Sequence, residues 1–187
     1  VDNSSDVYIT GAFQGTADFD PGVSAVNLTS AGLTDILFAK YDSSGRPIWA
    51  KQHGGGIKDV AWSIAVDSSG VPYIAGETYP INLNGSDAFL AKIDVDSGDV
   101  IWTSKLASSS VSGLAVAIDP SGGVYLGGSA YQMVDAGSGS DIFVARFDPN
   151  DGGQVWLTPF GSGSNEYFGG MTVNTSSRLI TDGQGSI

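Results

Sequence analysis

Apolar residues in this chain fall in short runs of alternating and continuous hydrophobicity, separated by clusters of Gly, Ser, Asp and Asn. Runs of four to eight residues bounded by such turn formers predict strands rather than helices. Three of the runs repeat one another: DILFAKYD from Asp35 to Asp42, DAFLAKID from Asp87 to Asp94, and DIFVARFD from Asp141 to Asp148, with starts 52 and 54 residues apart. Trp49, Trp102 and Trp156 keep the same period, with separations of 53 and 54. A further strand is marked by Tyr8, Tyr73, Tyr125 and Ile180, each followed three residues later by a glycine, at Gly11, Gly76, Gly128 and Gly183.

Each unit thus holds four strand candidates: one like VYITG, one like DxFVAKxD, one around the tryptophan, and one like SIAVD at Ser63 to Asp67. The linkers DSSG (Asp42 to Gly45 and Asp67 to Gly70), DVDSGD (Asp94 to Asp99), DPSGG (Asp119 to Gly123) and DPNDGG (Asp148 to Gly153) carry hairpin chemistry. Four short antiparallel strands per fifty-odd residues is the format of a β-propeller blade. The expected fold is therefore all-β, with three blade repeats and the start of a fourth: residues 1–65, 66–117, 118–172 and 173–187. Both faces of the DxFVAKxD strand are apolar, as with Leu37, Ala39 and Tyr41 alternating with Ile36 and Phe38, so the sheets should pack face to face. The cations Lys40, Lys92 and Arg146 recur beside acids at both ends of this strand, which predicts local ion pairs of structural rather than catalytic use.

The order of a VYITG strand, a DxFVAKxD strand, a Trp strand, a GG turn and an IAVDSSG strand resembles the bacterial SBBP β-propeller repeats over almost the whole chain. The resemblance implies a secreted or surface-exposed propeller, often part of a larger protein, and carries over no catalytic signature. Two departures stand out. Gly11 to Asp35 spans 24 positions where Gly76 to Asp87 spans 11, so the first unit carries an insertion at about 14–31, read as an extra hairpin on one rim. The last unit stops soon after its first strand, and three blades should not close alone. The expected partners are other blades of a longer chain, or other copies of the chain covering the open faces.

Composition narrows the chemistry. A net charge of -12 opposes nucleic acid, and no apolar run approaches the length of a membrane-spanning helix, so neither nucleic-acid binding nor membrane insertion is expected. With no Cys and His53 as the one histidine, thiol chemistry and His-rich zinc sites are excluded. There is no G-x-S-x-G elbow and no phosphate loop, and the expectation is no enzyme and no required cofactor. Calcium is the cofactor the acids accommodate: Asp18 and Asp20 in ADFDPG, Asp94, Asp96 and Asp99 in DVDSGD, and Asp148 and Asp151 in DPNDGG cluster hard oxygen ligands, although an Asx turn explains each cluster too. For glycan stacking, Trp62, Tyr79, Tyr131 and Tyr167 lie outside the most regular positions. The sequence reading is a non-enzymatic extracellular module with a structural, adhesive or assembly role, the alternative being a glycan-binding or glycan-cleaving propeller.

Overall fold

Every regular element among the described residues is a strand, in a computed structural model that describes residues 1–20, 22–79, 85–106, 110–131, 133, 139–162, 164–173 and 179–180. The strands are β1 (Val7–Phe13), β2 (Thr16–Asp18), β3 (Asn27–Thr29), β4 (Asp35–Tyr41), β5 (Pro47–His53), β6 (Lys58–Val66), β7 (Pro72–Tyr79), β8 (Asp87–Ile93), β9 (Val100–Leu106), β10 (Val111–Ile118), β11 (Val124–Tyr131), β12 (Ser140–Phe147), β13 (Gln154–Phe160), β14 (Thr172–Val173) and β15 (Leu179–Ile180). They form antiparallel sheets in the orders β1-β4-β5, β6-β7-β8-β9 and β10-β11-β12-β13, with two-stranded pairs β2-β3 and β14-β15. None of these sheets closes on itself, and among the described residues no helix is long and apolar enough to cross a membrane.

The sheets divide the chain one strand away from the sequence units. The strand read from Ser63 to Asp67 as the end of the first unit lies in β6 and pairs with β7, Ala65 opposite Tyr73, so it opens the second sheet. A repeat fixes its period but not its starting point, and hydrogen bonding supplies the missing phase. The first sheet accordingly has three strands, and the described residues place no strand along the outer edge of β1.

Stacking follows from the alternation along the central strands. In β8, Phe89, Ala91 and Ile93 join Tyr8, Ile36, Phe38 and Trp49 in a core between the first and second sheets. Ala88 and Leu90, on its other face, join Leu126, Phe143, Ala145 and Phe147 between the second and third. Within the second and third sheets, glycine lets the paired strands lie close. A Cβ on Gly76 would lie 2.0 Å from the Val60 carbonyl oxygen, and one on Gly128 would lie 2.6 Å from a Leu114 methyl.

A second device joins the sheets at their outer strands. Trp49 Nε1 donates to the Val95 carbonyl at 3.1 Å, and Trp102 Nε1 donates to the Pro149 carbonyl at 3.3 Å, so the turn of each sheet sits on the tryptophan of the one before. Gly98 (φ 73°) and Gly152 (φ 74°) lie flat on these rings, where a Cβ would come within 2.8 and 2.7 Å. Trp156, the third equivalent, is 37% exposed where Trp49 is 8%.

Lys40 and Lys92 find their partners away from the acids of their own strands. Lys40 binds Asp6 at 3.1 Å and Asp2 at 3.5 Å and lies over the Tyr8 ring, while Lys92 lies over Tyr73 and donates to the Pro149 carbonyl. Register explains this, since Tyr8 stands opposite Lys40 and Tyr73 opposite Lys92 on the same face. The insertion in the first unit forms the β2-β3 hairpin. Rather than projecting from a rim, it folds back along the sheet: Phe13 packs edge-on against Phe19, and the Tyr41 hydroxyl donates to the Phe19 carbonyl at 2.8 Å. Leu37, Ala39 and Tyr41 share that face, which points away from the second sheet. Towards the end of the chain β14 pairs with β15, Thr172 opposite Ile180. Gly183 lies outside the described residues.

Candidate functional site

The pairing of β6 with β7 steps from Ala61 to Ser63, leaving Trp62 as the extra residue of a bulge. A bulge re-aims its side chain out of the alternating pattern. The Trp62 ring is 55% exposed, whereas its counterpart in the next sheet, Leu114, is buried. Its indole Nε1 donates to Glu77 Oε1 at 2.8 Å, and the Tyr79 hydroxyl donates to Glu77 Oε2 at 3.1 Å. Glu77 itself is 5% exposed, so a buried carboxylate clamps two rings in fixed orientation. The Lys58 ammonium sits 4.9 Å from the centre of the Tyr79 ring. Burial and the Glu77 charge hold the Tyr79 phenol above its ordinary range.

Beside this cluster is a cleft of about 240 Å³ whose walls include His53, Asp59, Tyr79, Asp87, Thr103 and Lys105. Pockets for drug-sized ligands begin at about 300 Å³, so this one suits a single polar ring or a small polar group. Its walls mix acids, a cation, hydroxyls, an imidazole and the rings of Tyr79 and Phe89, which is recognition chemistry of the hydrogen-bonding and stacking kind.

The four aromatic candidates separate. Trp62 and Tyr79 meet through Glu77. Tyr131 stands at the end of β11, in the position corresponding to Tyr79, and Tyr167 is an exposed ring in the segment before β14. The sequence reading missed the partners that organise the cluster. Glu77 replaces Ala12 and Ser129 of the other sheets, and that break in the repeat was the available signal.

The acidic turns use their carboxylates on their own backbone. Asp18 accepts the N–H groups of Asp20 and Val26 at 3.0 and 2.8 Å, Asp20 that of Gly22, Asp94 those of Asp96 and Ser97, Asp148 that of Asn150, and Asp151 that of Gly153. These bonds hold Asp18 and Asp94 below the usual carboxylate range, and the Lys51 ammonium at 2.8 Å does the same for Asp99. Among the described residues, no three acidic or histidine side chains converge as a metal cluster.

No family model matches the chain. The chain has similarity to a curated protein. "Regulatory protein FlaEY" of Caulobacter vibrioides is 26% identical over 172 residues, which take in 80% of this chain. The chain spans 18% of that protein's length.

Proposed function

We propose that this chain supplies blades of an extracellular, non-enzymatic β-propeller of the SBBP type, with a structural or adhesive role completed by further blades. The observation that carries this reading is the repeated joint between turn and tryptophan, made from the first sheet to the second at Trp49 and from the second to the third at Trp102. A joint repeated in the same form between successive sheets is how units of one kind stack in series. Two features support the propeller geometry. β6 and β10 each open a four-stranded sheet, and a Cβ at Gly11 would meet nothing within 4 Å, where Gly76 and Gly128 are crowded by β6 and β10. Room for an inner strand therefore lies along β1.

The experiment is surface labelling of intact source cells with a membrane-impermeant reagent. The chain should be labelled before lysis and bind surfaces without turning over a substrate. Labelling confined to lysed cells would overturn the extracellular role.

Glycan binding is the second reading, favoured by Trp62 and Tyr79 clamped on Glu77 beside a cleft. A glycan array probed with the chain and with Trp62→Ala tests it. Binding lost in the variant supports it, and an array without signal rejects it.

A further inference from the structure

We propose that the junction between the first and second sheets binds a divalent cation of the calcium class, held by Asp35, Asp59 and the carbonyl of Gly56. This rests on neither the propeller nor the glycan reading, and it lies apart from the acidic turns. Asp35, the first residue of β4, has no exposed surface. Its Oδ2 accepts the Ala31 N–H at 2.6 Å and the side-chain amide of Gln52. Its Oδ1 is buried without a hydrogen-bond partner. A desolvated carboxylate oxygen that meets no donor calls for a cation or a proton.

Asp59 brings a second carboxylate from β6 of the neighbouring sheet. It is also buried, its Oδ2 held by the Gly55 N–H at 3.2 Å, and its own N–H donates to the Thr34 carbonyl at 2.8 Å, next to Asp35. Both acids lie against glycine backbone that leaves no room for a side chain. A Cβ on Gly54 would lie 3.0 Å from Asp35 Oδ1 and 2.9 Å from Asp59 Oδ2. One on Gly32 would lie 3.3 Å from Asp35 Oδ1 and 2.2 Å from the Gly56 carbonyl oxygen. Two carboxylates and a backbone carbonyl brought to one junction are hard oxygen donors of the type calcium takes, with water completing the shell.

The backbone part of the arrangement recurs. In the third sheet and the segment after it, Asp141 and Glu166 hold the positions of Asp35 and Asp59, and the Glu166 N–H donates to the Ser140 carbonyl at 2.7 Å; here the buried oxygen without a hydrogen-bond partner is Oε2 of Glu166, the second acid of the pair. Between the second and third sheets, Val111 stands in place of the second acid, and its backbone bonds Ser86 instead.

The test is calorimetric titration of the chelator-stripped 187-residue chain with CaCl₂, paired with thermal unfolding. The expected result is saturable binding with a Kd on the order of 10⁻³ M or tighter and a rise in Tm. Asp35→Asn and Asp59→Asn should each remove one binding equivalent, while Asp96→Asn, in the DVDSGD turn, should leave binding unchanged. Should Asp35→Asn fail to fold, Asp59→Asn and the unsubstituted chain decide. No calcium heat in the unsubstituted chain, binding intact in Asp59→Asn, or binding lost in Asp96→Asn each overturns the proposal. So does stabilisation by acid with no response to calcium, the behaviour of a shared proton.

Discussion

At the residue scale the fold depends on places where a side chain is absent. Replacing Gly76 with Ala should help a strand by the usual fraction of a kcal/mol, but its Cβ would sit 2.0 Å from a backbone oxygen that cannot swing away. Overpacking wins, and Gly76→Ala should lose about 2–3 kcal/mol in urea unfolding. Gly11→Ala, with open space around it, should stay within about 0.5 kcal/mol. The acidic turns give a pH dependence of fixed sign. The pKa values of Asp18, Asp42, Asp94 and Asp119 are lowered in the folded chain, so their stabilisation is present above the ordinary carboxylate pKa and is lost as pH falls through the folded values. Urea midpoints measured downward from neutral pH should hold and then fall below about pH 4. At the other extreme, burial and then the Asp67 charge raise Tyr73 to about 12 from 10.0. The unfolded chain ionises this phenol first, so stability should fall between those values, and Tyr73 should titrate together with unfolding.

At the element scale the controlling feature is the tryptophan on the outer strand of each sheet. Trp49→Phe removes the donor to the Val95 carbonyl and should cost roughly 1–2 kcal/mol. Trp156→Phe should cost less than about 0.5 kcal/mol in the isolated chain, because no turn among the described residues sits on that ring. The all-β class, the strands and their antiparallel order were legible because period-two alternation and Asx-Gly turns are local signals. The grouping into sheets was not: β6 could end one unit or open the next, and only its pairing with β7 decides. The β2-β3 hairpin was legible as a hairpin, but its fold back over Tyr41 depends on contacts that alternation does not encode. In the same way Trp62 and Tyr79 could be read as departures from the repeat, while Glu77 could not be placed between them. Register across β6 and β7 brings them together, Val60 opposite Glu77 and Lys58 opposite Tyr79.

At the scale of the whole molecule the two ends of the stack differ. The outer face of the first sheet carries the β2-β3 hairpin, with Val7 and Ile9 exposed beside it. The third sheet is partly covered by the segment leading into β14, where Phe168 approaches Gly127, and it leaves Trp156 and Phe160 exposed on β13. The three-stranded first sheet with its open β1 edge, and the exposed Trp156 ring on the third, each favour association with a unit of the same kind. Light scattering on the 187-residue chain over a range of concentrations tests this most directly. The account predicts a mass that is a multiple of 19.2 kDa and that falls toward one copy in Trp156→Glu. A cooperative, stably folded 19.2 kDa monomer at every concentration would contradict it.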